Sequence, residues 1–173
     1  QQIPQMEADF GTGFTTLVVD KFSLFFKFLL LSVTAIIILA SSEFVSKFKK
    51  FHGEFFALIL FSTSGMMLLS STVELISIYV SLELTALPIA AMSAFLRDDR
   101  SSEAGMKFLI LSAISSAILL YGMVIIFGFT GTTVLTEIGA QLEHLFDHDT
   151  AFGGHAILFG VILVTAGFGF KIS

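Results

Sequence analysis

Long apolar runs separated by short polar intervals set the pattern of the chain. Residues 22–40 are apolar except for Ser23, Lys27, Ser32 and Thr34, and the polar stretch SSEFVSKFKKFHGE follows. A second run covers 55–69, and after the brief link Ser70, Ser71, Thr72, Val73, Glu74 a third extends to about residue 96. The loop LRDDRSSEAG leads into a fourth run over 102–128, and a fifth starts near His155 and is still apolar near Ser173. A helix needs roughly 20 apolar residues to cross a bilayer. The pattern therefore predicts an all-α polytopic integral membrane protein with five transmembrane helices, at about 22–41, 54–71, 74–96, 102–128 and 155–173. Residues 1–20 predict an exposed segment ending at Asp20, a helix cap. Within the acidic loop 129–154, Ile138, Leu142, Leu145 and Phe146 recur at helical spacing, which predicts a short amphipathic helix over 136–146 at the membrane surface.

Composition agrees with this class. The 173 residues are 55% hydrophobic and 13% charged, with a mean hydropathy of +0.92, whereas a soluble domain carries about a quarter charged residues. Cysteine is absent, which excludes disulfides, thiolate-bound iron–sulfur clusters, Cys-ligated zinc and a Cys nucleophile in this chain. The first twenty residues lack the basic start and apolar run of a signal peptide. A chain that begins on Gln and ends inside an apolar run reads as a fragment.

The net charge is −5, but the placement of the cations is more informative. Lys47, Lys49 and Lys50 follow the first run and Arg97 and Arg100 follow the third, while the loops after the second and fourth contain no Lys or Arg. Alternate loops are basic, which by the positive-inside rule puts them on the cytoplasmic or matrix side. Glu7, Asp9, Glu137, Glu143, Asp147 and Asp149 then face the opposite compartment.

Three charges fall inside or beside the apolar runs. Glu83 lies eight residues after Leu75 and twelve before Phe95, roughly 12 Å or more from either end of its helix. An acid at that depth needs a partner, a proton or a water-filled cavity, and is a functional candidate by default. The alternative is a permanently protonated Glu hydrogen-bonded to a neighbouring helix. Pro88, five residues on, has no backbone N–H and disturbs the helix there. Lys107 lies four residues after Glu103, which fits either a snorkelling lysine paired within its own helix or a buried functional cation. Lys171 fits either a cytoplasmic anchor of a short span or a mid-membrane cation, the apolar residues around it favouring the second. His144 and His148 have a loose metal-ligand spacing, for which a solvated surface is the simpler reading. The glycines of TAGFGF and FGFTGTT match no nucleotide-binding fingerprint.

The stretches SLELTALPIAAMSAF, RSSEAGMKFLILSAISSAILLYGM, FGFTGTT and GFGFKIS, in this order, resemble the antiporter-like N subunit of respiratory NADH:quinone oxidoreductase, complex I, over about residues 18–139 and 156–173. The resemblance implies an inverted-repeat bundle of which this chain represents helices three to seven. It also implies proton translocation by Glu83 on the fifth helix, Lys107 on the sixth and Lys171 at the break of a discontinuous seventh. Cofactors (quinone, flavin and iron–sulfur clusters) are then expected in partner subunits and none in this chain. The implied partners are neighbouring antiporter-like and small helical membrane subunits and the lipid bilayer, with no nucleic acid. The implied location is the bacterial cytoplasmic membrane, or alternatively an organellar inner membrane or thylakoid. The resemblance does not extend to residues 140–155. Two alternative functions stand beside this one: a subunit of a multisubunit cation/proton antiporter or membrane-bound hydrogenase, and a structural membrane scaffold.

Overall fold

The structure, a computed structural model, describes residues 16–45, 51–147 and 151–172. Six helices follow one another: α1 (Lys21–Val45), α2 (His52–Leu69), α3 (Leu75–Ser93), α4 (Asp99–Thr130), α5 (Leu135–Asp147) and α6 (Ala151–Ile172). All but α5 are long and apolar enough to cross a membrane. The spans pack in series, α1 on α2, α2 on α3, α3 on α4 and α4 on α6, while the short α5 touches α4 and α6.

Caps and backbone turns set the helix limits. Asp20 accepts a hydrogen bond from the Ser23 N–H at 2.7 Å, starting α1. Asp98 does the same for the Ser101 N–H at 2.6 Å, so α4 starts three residues before the expected 102. These bonds from Ser101 hold the Asp98 carboxyl below its ordinary value of 3.8. The far end of α4 runs to Thr130, where Gly131 takes a left-handed φ of 70° that a side chain would disfavour. Helix α3 stops at Ser93 rather than 96, and Arg97 turns the chain at φ 57°. Helix α1 continues to Val45, beyond the expected 41, with the Ser42 hydroxyl bonded to the Leu39 carbonyl at 2.8 Å. Helix α6 is unbroken from Ala151 to Ile172, and Ile172 is the last described residue, so the break implied at Lys171 falls at the edge of the described residues. The expected exposed segment lies largely, and Lys47, Lys49 and Lys50 wholly, outside them.

Each end of the bundle is tied differently. At one end, isolated antiparallel bridges join Leu17 to Thr72 and Glu74 to Val134. The Glu74 carboxylate there accepts bonds from Ser77 Oγ at 2.7 Å and Thr133 Oγ1 at 2.9 Å, linking the α2–α3 turn to the α4–α5 loop. At the other end, Phe55 packs edge-on against Phe95 with ring centroids 5.2 Å apart. The Arg97 guanidinium lies 4.7 Å from the centroid of the Phe51 ring.

Between the ends, many hydroxyl side chains turn inward and many large apolar ones face out, although Leu119, Met123 and Ile126 of α4 are buried. On α1 the buried residues are Ser23, Thr34 and Val45, whereas Phe28 and Leu39 are about three-quarters exposed at 75% and 74%. This inversion of a soluble core suits lipid, where apolar side chains gain nothing by hiding and close backbone packing and interhelical hydrogen bonds hold helices together. Thr34 and Thr63 share a bond of 2.9 Å between α1 and α2. Ser62 donates to the Thr85 carbonyl at 3.2 Å between α2 and α3, beside the Leu84 carbonyl whose usual donor Pro88 lacks. The α4–α6 contact is among the closest. A Cβ on Gly122 would stand 2.7 Å from the Gly160 carbonyl oxygen and 2.8 Å from the Val164 nitrogen. Above this contact Leu119 is fully buried.

Candidate functional site

The α3–α4–α6 junction collects the polar groups at mid-bundle. Helix α3 carries Glu83 eight residues from its start, and the close α4–α6 packing brings the last turn of α6 alongside it. The Lys171 ammonium reaches Glu83 Oε1 at 2.9 Å, with side chains 11% and 23% exposed respectively. Ser116 on α4 donates its hydroxyl to the same oxygen. Its neighbour Ser115 donates to the Gly167 carbonyl at 2.8 Å, one helical turn before Lys171. Two adjacent serines of α4 thus hold α3 and α6 at the two sides of the ion pair.

A cavity of about 550 Å³ opens beside the pair, with Thr85, Ser112, Ser115 and Lys171 in its wall among apolar side chains. Towards the bridged end, Tyr79 lies one turn before Glu83 and borders a second, almost wholly apolar cavity of about 180 Å³ between α3 and α4.

Of the three sequence-predicted residues, the structure brings Glu83 and Lys171 together and leaves Lys107 apart. Lys107 pairs with Glu103 at 2.5 Å on an outward face of α4, with side chains 71% and 64% exposed. Nine residues separate it from Ser116, roughly 14 Å along the helix. The sequence left open which lysine faces Glu83, because the order of helices along a chain does not give their distance in a bundle. Ser115 and Ser116 were not singled out. Their signal was present, since Ser112, Ser115 and Ser116 recur at i, i+3 and i+4 and so share one face of an apolar helix. His148 lies outside the described residues, as does the side chain of His144. Among the described residues no group of three His, Cys, Asp or Glu is placed to hold a metal ion.

The sequence profile of the NADH:quinone oxidoreductase/Mrp antiporter transmembrane family matches residues 71–173, more than half of the chain and all of this junction. The chain belongs to that family. Its relatives within the NADH:quinone oxidoreductase/Mrp antiporter family include NADH-quinone oxidoreductase subunit N of Dehalococcoides mccartyi, 38% identical over 154 residues, covering 89% of this chain and 32% of the relative. The subunit N of Moorella thermoacetica is 40% identical over 157 residues, covering 90% and 32%. Among solved structures, respiratory complex I from Thermus thermophilus matches with a TM-score of 0.69 at 30% identity, over 91% of this chain and 32% of that one. An archaeal membrane-bound sulfane sulfur reductase shares the fold, with a TM-score of 0.67 at 23% identity, over 88% and 30%. The chain therefore spans about a third of the length of the relatives it matches.

Proposed function

We propose that this chain is the part of a proton-translocating membrane subunit of NADH:quinone oxidoreductase in which Glu83 and Lys171 handle the proton. The observation that carries the reading is the 2.9 Å contact between Lys171 Nζ and Glu83 Oε1 inside an apolar bundle. A charge pair removed from water is costly, and its retention is best explained by a use for the charge. While the carboxylate is close, its field favours the protonated ammonium. When the pair separates or Glu83 is neutralised, an ammonium left in a poorly hydrated site favours release of its proton toward the largely apolar cavity beside it, in whose wall Thr85, Ser112 and Ser115 supply hydroxyls. A change of charge at one residue is thereby converted into proton transfer at another.

The subunit N relatives favour the respiratory reading over a stand-alone antiporter. In that reading the electron chemistry, with its flavin, iron–sulfur clusters and quinone, belongs to partner subunits. Other membrane subunits flank this chain, and the complex sits in a bacterial cytoplasmic membrane. Lys107, paired with Glu103 on an outward face of α4, stands outside the Glu83–Lys171 pair.

The test is a Glu83→Gln exchange in the complete complex reconstituted in vesicles. Redox-coupled proton translocation should be lost while the complex still assembles. Normal pumping by an assembled Glu83→Gln complex would overturn the role given to the pair.

A further inference from the structure

We infer that Ser116 is a positioning residue for Glu83, holding the carboxylate in place when the Lys171 ammonium withdraws; the inference rests on the function proposed above.

Hydroxyls inside these helices mostly bond to their own backbone. Ser32, Thr34, Thr63, Ser64, Ser81 and Thr85 each donate to the carbonyl four residues back, at 2.6–2.9 Å. That arrangement satisfies the hydroxyl within its own helix. Three serines depart from it and cross to a neighbouring helix: Ser62 to the Thr85 carbonyl, Ser115 to the Gly167 carbonyl and Ser116 to Glu83. Of these three, Ser116 alone donates to a charged group. Its burial, 4% exposed, excludes a casual surface contact.

The choice of oxygen is the second observation. Lys171 and Ser116 both donate to Oε1. When the ammonium leaves, that oxygen would otherwise become a buried, charged acceptor without a donor, which is the costly outcome for a polar group out of water. The Ser116 hydroxyl prevents it, and it is fixed to α4, which packs against both α3 and α6. Glu83 therefore has a reason to stay oriented toward the junction instead of turning to the cavity with the lysine. Ser115, the preceding residue, fixes the Gly167 carbonyl and with it the turn from which Lys171 extends. The serine pair is thus a fixed reference between two groups that must part and meet again.

The experiment uses the reconstituted complex with Ser116→Ala, Ser116→Cys and Ser116→Thr, Cys being close in size but a weak donor and Thr retaining the hydroxyl. Two quantities are read: redox-coupled proton translocation, and the infrared carboxylate band that disappears in Glu83→Gln. Ser116→Ala should pump about tenfold more slowly, the factor expected for one hydrogen bond to a charged group. Its Glu83 band should move, Ser116→Cys should fall between, and Ser116→Thr should restore both. Wild-type pumping by Ser116→Ala, an unmoved band, or an equal loss in Ser116→Thr would overturn the inference. If Ser116→Ala prevents assembly, the comparison of Cys with Thr decides the matter by the same criteria. Pumping that survives Glu83→Gln removes the proposed function itself. Pumping lost in Glu83→Gln but intact in Ser116→Ala removes only the role of the serine.

Discussion

Glu83 has two donors on one oxygen, and the energetic consequence follows from which donor is removed. Replacing Lys171 by Met leaves a mostly buried carboxylate held by Ser116 alone. An orphaned buried charge costs several kcal/mol, and the partial exposure of Glu83 lowers that to about 2 kcal/mol. Replacing both residues, with Glu83→Gln and Lys171→Met together, removes the charge as well as its partner. The double variant should therefore melt at a higher temperature than Lys171→Met alone. Additive losses in Tm would show that the two side chains do not interact in the folded protein. The sequence made Glu83 conspicuous because a charge in an apolar run is expensive whatever surrounds it. It did not reveal the partner, since Lys107 and Lys171 were both plausible and only the packing of α4 on α6 brings one of them near. Ser116 was less visible still, because a serine in such a helix usually bonds to its own backbone.

At the scale of the helices, the α4–α6 contact decides whether the site exists. Lys171 reaches Glu83 because the backbones of α4 and α6 approach at Gly122 and Gly160 and again where Gly167 meets Leu119. A side chain at Gly122 would meet the backbone atoms of α6, which cannot rotate away as a side-chain tip can. Gly122→Val should therefore separate the helices, lower thermal stability by the 1–3 kcal/mol typical of overpacking, and widen the Glu83–Lys171 distance. Gly139→Val, on α5 with nothing within 4 Å of its Cβ position, should be nearly neutral in the same melt. Equal effects of the two substitutions would show that the α4–α6 approach is not tight. Helix existence was legible from the apolar runs, because length and hydropathy are what a bilayer selects. The limits were less so, being set by the Asp98 cap and by the left-handed turns at Arg97 and Gly131, which the apolar pattern does not record.

At the scale of the whole molecule, the two ends of the bundle carry different chemistry, and charge alone orients them. The loop at one end carries Arg97 and Arg100, whereas the described turns and loops between spans at the bridged end contain Glu74 and Glu137 and no Lys or Arg. Lysines and arginines are retained on the side where the chain is inserted, so the Arg97 end should face the cytoplasm and the bridged end the other compartment. These 173 residues contain no cysteine, so a thiol introduced at one position is the only one among them and its labelling reports that position. Arg100→Cys lies in the first turn of α4 and Gly139→Cys on α5, and both positions are exposed. A membrane-impermeant maleimide added to intact cells should label Gly139→Cys and spare Arg100→Cys, and inverted vesicles should reverse the result. The opposite labelling would turn the bundle over and overturn the orientation read from the loop cations. Because α3, α4 and α6 are joined by the Ser116–Glu83 and Ser115–Gly167 contacts and by the close α4–α6 approach, the direction found for one of these spans gives the direction of the other two.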